Sequence, residues 1–177
     1  MTTPHLGDTA LRPATLTDAS SIAALSIEVW IGTYLKSGIN AFFADFVLSE
    51  FTTPKIEHRL EDPRNQFIVS ENTQGIDGFA CLTQNSPAPV PGCSDWEIST
   101  LYVQPRHHGK GIGRDLLQSL LATCRAQSAH SVWLATNAEN TPAIGFYMAQ
   151  GFEPVGETHF RIGDQGYLNT VFRLSLG

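Results

Sequence analysis

Cysteine is scarce in this chain of 177 residues, which contains three. An odd number argues against a disulfide framework, and no two of them form a Cys-x-x-Cys pair. Cys81 and Cys124 lie in apolar segments and are expected in the core, whereas Cys93 falls in a loop rich in proline and glycine. The sequence therefore implies no disulfide scaffold and no covalent intermediate on a cysteine.

Long apolar runs are also absent. No stretch of 18 consecutive apolar residues occurs, which predicts no membrane span. The opening residues MTTPHLGD lack the basic-then-apolar pattern of a signal peptide. Residues 1–8 are interpreted as a flexible tail, followed by a single domain over residues 9–177 with enough apolar residues, 42%, for a substantial core. We expect a cytoplasmic protein with no membrane partner.

Positively charged residues are also scarce, since the chain has 11 Lys and Arg residues but 17 Asp and Glu residues. This excess of acid favours a cationic small-molecule partner through electrostatic steering, and no nucleic-acid partner is expected. The adjacent His107 and His108 point in different directions and have no carboxylate or cysteine at a helical offset. No metal site is predicted.

The most informative segment is residues 97–113, EISTLYVQPRHHGKGIG, where a strand-like run leads into a glycine-rich turn before the amphipathic RDLLQSLLATCRAQ. The turn contains Gly109, Gly111 and Gly113. Glycines allow positive φ and a close approach of the backbone to a ligand, and the following helix offers unpaired N–H groups. With Lys110 and Arg114 beside it, the turn predicts an anion site, most naturally for a pyrophosphate. A turn without a ligand is the alternative.

Two common nucleotide motifs do not fit this turn. A dinucleotide fold needs Gly-x-Gly-x-x-Gly after the first strand, but here the glycine spacing differs and the turn lies past the middle of the chain. A phosphate-binding Walker loop needs Gly-Lys-Ser/Thr, whereas Gly109-Lys110-Gly111 supplies no hydroxyl. Nucleotide binding of these kinds is disfavoured.

A second motif follows the predicted strand 133–137, in residues 140–152, NTPAIGFYMAQGF. Asn140 can cap a helix, Pro142 suits its first turn, and Gly151 suits the left-handed position after its end. A helix of about ten residues is predicted. It places Phe146 and Tyr147 on one apolar face, where Tyr147 taken alone is read as a core residue.

Together the two motifs resemble the GNAT superfamily of acetyl-CoA-dependent N-acetyltransferases, over nearly the whole chain. The family's Gln/Arg-x-x-Gly-x-Gly/Ala motif fits in two registers, from His108 through Gly111 to Gly113, which we prefer, or from Arg106 through Gly109 to Gly111. The preferred register has histidine in place of Gln/Arg, which puts one side-chain contact in doubt. The downstream Asn-x-x-Ala-x-x-Phe-Tyr-x-x-x-Gly-Phe motif is complete.

The resemblance implies an α/β fold with a mixed, mostly antiparallel central sheet, helices on both faces, and splayed strands 4 and 5 between which the acetyl-CoA arm inserts. It also implies a homodimer. The backbone of Leu101, Tyr102 and Val103 would pair with that arm. The pyrophosphate would be held by His108, Gly109, Lys110, Gly111, Ile112, Gly113 and Arg114. The other side of the cofactor would be lined by Asn137, Asn140 and Phe146.

The resemblance assigns catalytic roles to two residues, Glu97 as general base and Tyr147 as general acid for the leaving thiolate. The chemistry needs the same two groups. A base is needed because an alkylamine of pKa about 10.4 arrives mostly as ammonium and must lose a proton before it attacks a thioester. An acid is needed because the thiolate that leaves takes up a hydrogen bond or a proton. The alternative for Glu97 is a surface carboxylate near Asp95.

The acceptor is less well defined by the sequence. Trp30, Tyr34 and Trp96 are candidate substrate-binding residues, with core packing as the alternative. Residues 26–34, SIEVWIGTY, and 159–166, HFRIGDQG, resemble the bacterial spermidine/spermine acetyltransferases. The sequence thus suggests acetylation of a small cationic amine such as a polyamine, with a protein N-terminus or lysine as the next alternative and an antibiotic after that. A non-catalytic module that senses acetyl-CoA is the alternative from another class.

Periodicity and turn residues predict the remaining elements. Strands are expected over 10–14, 66–70, 78–83, 154–161 and 168–174, and a turn over 72–77. A helix is expected over 18–30, and residues 39–48 form a less regular segment. No repeat or low-complexity tract interrupts the pattern.

Overall fold

The structure is a computed structural model that describes residues 9–177. The predicted tail, residues 1–8, lies outside the described residues. The strands are β1 (Ala10–Pro13), β2 (Asn65–Asn72), β3 (Gly75–Thr83), β4 (Glu97–Val103), β5 (Ser131–Asn137), β6 (Glu153–Ile162) and β7 (Gln165–Ser175). The helices are α1 (Ala19–Tyr34), α2 (Ala41–Glu50), α3 (Thr53–Glu61), α4 (Ile112–Ala126) and α5 (Thr141–Ala149).

The strands form one sheet in the order β1-β2-β3-β4-β5-β7-β6. β1 pairs antiparallel with β2, and β7 pairs antiparallel with both β5 and β6. β4 and β5 run parallel and are in register at one position, Glu97 opposite Trp133. One parallel pair among antiparallel ones confirms the predicted mixed, mostly antiparallel sheet.

The described chain divides into two compact units. The first unit contains residues 9–81 and 100–119, and the second contains residues 82–99 and 120–177. β4 begins in the second unit and ends in the first. The predicted single domain over residues 9–177 stays a prediction.

The core of the first unit packs α1 and α3 against one face of β2 and β3. Ile22 and Ile56 from the helices meet Phe67 and Phe79 from the strands, all buried. Successive strand residues face opposite sides of the sheet, so Gly78 faces the side opposite to Phe79. A Cβ added to Gly78 would lie 3.2 Å from the Leu116 side chain of α4. Helices therefore cover both faces of this part of the sheet, as predicted. Each large apolar side chain fully buried in this way contributes about 1.5–3 kcal/mol.

In the second unit, α5 begins and ends as the sequence predicts. The Asn140 side chain accepts a hydrogen bond from the Ala143 N–H at 3.3 Å, and Gly151 has a φ of +97° after the last turn. The ring of Tyr147 packs on Phe152 and Phe172, with centroid distances of 5.7 and 6.4 Å. Local capping signals were therefore sufficient to define this helix.

The prediction for the segment between β1 and β2 was wrong for one helix and omitted another. The supposedly less regular residues 39–48 contain the regular helix α2, which the Asn40 side chain caps. Exposed Phe42 and Leu48 on its outer side obscured the apolar periodicity. Helix α3 was not predicted from the sequence. Its apolar face consists largely of Ile56 and Leu60. The predicted turn over 72–77 is shorter, because β2 and β3 leave only two residues between them.

Cys81 and Cys124 are buried as predicted, and Cys93 is half-buried. Burial raises the pKa of Cys124 to about 11, so this thiol stays protonated at neutral pH. Within residues 9–177 no helix combines the length and apolar character needed to cross a membrane.

Candidate active site

The glycine turn lies at the end of β4, after a short 3₁₀ turn over Pro105–His107. Gly109 and Gly111 have φ values of +80° and +85°, which are unfavourable for residues that carry a Cβ. α4 begins at Ile112, so Gly113 lies inside its first helical turn. The predicted turn included Gly113, whereas in the structure this residue belongs to α4. The chain has already become helical at that point.

The turn is open on its outer side. A Cβ added to Gly109 would meet nothing within 4 Å, and one added to Gly111 would meet only the Arg114 guanidinium, at 3.5 Å. Lys110 and Arg114 are exposed, and the first-turn amides of α4 have no carbonyl partners within the helix. An open backbone, a helix N-terminus and two cations fit a diphosphate group.

The two histidines of the turn bind neighbouring groups. The His108 Nε2–H donates to the Val103 carbonyl at 2.9 Å, which ties the turn to the end of β4. Lys110 Nζ donates to His107 Nδ1 at 3.1 Å. The histidine that replaces Gln/Arg in the motif thus holds the loop in place. In the part of the chain that the structure describes, no three His, Cys, Asp or Glu side chains are grouped to bind a metal.

The three β4 residues that precede the turn are half-buried. The ring of Tyr102 packs edge-on against Phe79 at 5.6 Å, and burial raises the pKa of its phenol. This side chain therefore belongs to the core and stays protonated. The role predicted for Leu101, Tyr102 and Val103 concerns their backbone, of which the Val103 carbonyl already accepts the His108 hydrogen bond.

In the second unit, Glu97 is the first residue of β4 and is half-buried, whereas Asp95 is exposed. Glu97 Oε2 accepts a hydrogen bond from Ser86 Oγ at 2.6 Å. This bond is in the short range of hydroxyl–carboxylate bonds. Sequence reasoning missed Ser86, because a serine eleven residues away in a proline-rich loop carries no local signal of this contact.

The side chains expected to line the other side of the cofactor lie at the end of β5, at the cap of α5 and in α5. Asn137 Oδ1 accepts from the Glu139 N–H at 2.8 Å, and the Asn140 side chain caps α5. Phe146 is half-buried and meets the edge of the buried Tyr147 ring at 5.2 Å. Both asparagines therefore shape the backbone of the connection from β5 to α5.

An aromatic cluster in the first unit contains two of the predicted substrate-binding residues. The buried ring of Trp30 lies 5.0 Å from Tyr34, 5.8 Å from Phe43 and 5.3 Å from Phe46. Tyr34 is exposed, so the cluster has one face in solvent. Trp96 is half-buried in the second unit.

Comparison with known proteins identifies relatives of this chain. Residues 35–152 match the acetyltransferase (GNAT) family. An uncharacterized N-acetyltransferase of Mycobacterium tuberculosis is 30% identical over 84% of this chain and 91% of its own length. The N-alpha-acetyltransferase RimI of the same organism is 30% identical over 55% of this chain and 58% of its own. The crystal structure of PaiA N-acetyltransferase from Thermoplasma acidophilum with coenzyme A matches 95% of this chain and 99% of its own, with 16% identity and a TM-score of 0.76.

The mixed sheet, with β4 and β5 as its parallel pair, and the family match together define the class of acetyltransferases. The family match covers about two thirds of the chain. The uncharacterized N-acetyltransferase of Mycobacterium tuberculosis is matched over 91% of its own length. This chain belongs to the acetyltransferase (GNAT) family and is an N-acetyltransferase.

Proposed function

We propose that this protein transfers the acetyl group of acetyl-CoA directly to the primary amine of a small cationic molecule such as a polyamine. Acetyl-CoA as the acetyl donor is supported by the turn at Gly109 and Gly111. This turn is left-handed and open, and it directly precedes α4. The N–H groups of this turn and helix bind the pyrophosphate, and Lys110 and Arg114 neutralise its charge. PaiA, which shares the fold, holds coenzyme A in its crystal structure.

Glu97 is proposed as the general base. It removes a proton from the acceptor ammonium, directly or through water, and the free amine nitrogen attacks the thioester carbonyl. The carbon–sulfur bond then breaks, and the Tyr147 hydroxyl donates a proton to the departing thiolate. The half-buried position of Glu97 and its hydrogen bond from Ser86 support the assignment, because a base must be held in one orientation.

A cationic acceptor is supported by charge and by the aromatic cluster around Trp30. The net charge of −6 attracts cations over long range. The exposed Tyr34 ring beside Trp30 offers an electron-rich face to an ammonium group. The similarity to RimI favours the second candidate, a protein N-terminus, with a lysine side chain as a related possibility.

A coupled thiol-release assay with polyamines, peptides and aminoglycosides tests the proposal. The highest kcat/KM should belong to a polyamine or another small primary amine. Preference for a peptide would support the second candidate. Coenzyme A binding with no thiol release for any amine would indicate a sensor instead of an enzyme acting on these acceptors.

The role of Glu97 is tested with Glu97→Gln, which removes the base and keeps the size of the side chain. We expect kcat/KM at neutral pH to fall about 10²–10⁴-fold and to recover in part as rising pH supplies free amine. Asp95→Asn is the matched control, because it removes an exposed carboxylate two residues away. A Glu97→Gln enzyme with the wild-type pH profile contradicts the assignment.

A homodimer is proposed by analogy with the family, since an isologous twofold contact is the commonest assembly of identical chains. Sedimentation equilibrium at micromolar concentration measures the mass in solution. A monomer at that concentration rejects the homodimer.

A further inference from the structure

Ser86 lies in the loop between β3 and β4, and its side chain bonds Glu97. Its Oγ donates to Glu97 Oε2 at 2.6 Å. An ionised carboxylate only accepts hydrogen bonds, so the serine hydroxyl is the donor. The bond restricts the rotation of the carboxylate and leaves lone pairs on its oxygens to accept a proton.

The backbone of Ser86 is held on both sides. Its N–H donates to the Asp95 carbonyl at 2.8 Å, and its carbonyl accepts from Trp133 Nε1 at 2.9 Å. Trp133 is buried in β5 and stands opposite Glu97 in the parallel pair. The donor and the acceptor of the side-chain bond are therefore fixed to the same pair of strands, which limits the freedom of the carboxylate.

The rest of the loop is anchored independently of Glu97. Arg173 Nη1 of β7 donates to the Gly92 carbonyl at 2.8 Å. The Ser94 N–H donates to Ser131 Oγ of β5 at 3.1 Å. These bonds hold the loop on β5 and β7, so loss of the Ser86 hydroxyl leaves the path of the loop intact and removes only the bond to the carboxylate.

We propose that Ser86 is a positioning residue that fixes the orientation of the Glu97 carboxylate. This inference rests on the proposed function, in which Glu97 is the general base. Orientation of a catalytic group contributes to the rate of the chemical step, whereas binding of acetyl-CoA at the glycine turn does not depend on it. Ser86 itself exchanges no proton with the substrate.

Ser86→Ala tests the proposal. We expect kcat to fall about tenfold, because the carboxylate is still present but no longer oriented. The KM for acetyl-CoA should stay at the wild-type value. Ser86→Thr keeps the hydroxyl and should restore most of kcat. Thr83→Val is the matched control, since its hydroxyl bonds Ser99 at 2.9 Å.

A double-mutant cycle separates positioning from a general structural effect. If Ser86 acts through Glu97, Ser86→Ala should cause no further loss in the Glu97→Gln background. An equal loss in both backgrounds overturns the proposal, and so does a wild-type kcat for Ser86→Ala when Glu97→Gln is impaired. If Glu97→Gln is itself fully active, the general-base assignment fails and the Ser86 proposal falls with it.

Discussion

Gly111→Glu isolates the role of the glycine turn, because the new side chain adds both a Cβ at positive φ and a negative charge. Gly111 has a φ of +85°, and the nearest heavy atom to an added Cβ is Arg114 Nη2 at 3.5 Å. The left-handed conformation costs a residue with a Cβ about 1–2 kcal/mol. At about 2–4 °C for each kcal/mol in a chain of this size, the melting temperature should fall by about 2–8 °C.

The loss of coenzyme A binding should be larger than this loss of stability. One charge-assisted hydrogen bond to the pyrophosphate is worth about 1.5–3 kcal/mol. A carboxylate about 5 Å from a phosphate charge adds about 1–3 kcal/mol of repulsion, depending on the local dielectric. Because 1.4 kcal/mol corresponds to a factor of ten, the affinity should fall by at least about 60-fold. The new carboxylate can also pair with Arg114 and occupy a cation that the phosphates need.

Calorimetric titration with coenzyme A, combined with thermal unfolding, measures both effects. Gly75→Glu is the matched control, because Gly75 also has positive φ, +150°, and nothing lies within 4 Å of an added Cβ. We expect both variants to lose stability and only Gly111→Glu to lose affinity. A wild-type dissociation constant for Gly111→Glu would refute the pyrophosphate site, and equal loss in Gly75→Glu would attribute the effect to folding.

Three further predictions concern other parts of the molecule. Tyr147→Phe should lower kcat by about 10²–10⁴ with no rescue at high pH, measured as thiol release; partial rescue like that expected for Glu97→Gln would contradict the acid role. Arg12 donates to both oxygens of Asp18, at 2.8 and 2.9 Å, and holds the pKa of Asp18 below its ordinary value. This stabilisation is present above the unfolded pKa of Asp18, about 3.9, and is lost as pH falls through the lower folded pKa. Asp18→Asn should therefore weaken the fall of the free energy of unfolding, measured with urea, toward acid pH. An unchanged dependence on acid pH would reject this linkage. Gly156→Ala would place its Cβ 2.6 Å from Val90 Cγ1 and should cost about 1–3 kcal/mol in denaturant unfolding, so a neutral result would show that the loop yields freely.

The sequence alone predicted the elements whose signals are local. The helix α5 follows from an asparagine cap at Asn140 and a glycine at position 151, each of which acts within a few residues. The left-handed turn at Gly109 and Gly111 follows from residue type in the same way. Alternating apolar residues located the strands, although their ends shifted by a few residues.

Other features could not be predicted because they join distant residues. α3 was missed because two apolar residues give a weak period, and its stability comes from packing of Ile56 in the core. The hydrogen bond from His108 to the Val103 carbonyl depends on the path by which the turn folds back on β4. No pattern of residue types specifies that path.

For the candidate site, the sequence determined which residue types were present and which segments carried them. The tertiary structure decided that Ser86 lies against Glu97, because that contact requires the β3–β4 loop to be held by Trp133 and by Arg173, residues far along the chain. Side-chain direction in a loop is set by such long-range bonds, whereas helix caps and glycine turns are set by their immediate neighbours.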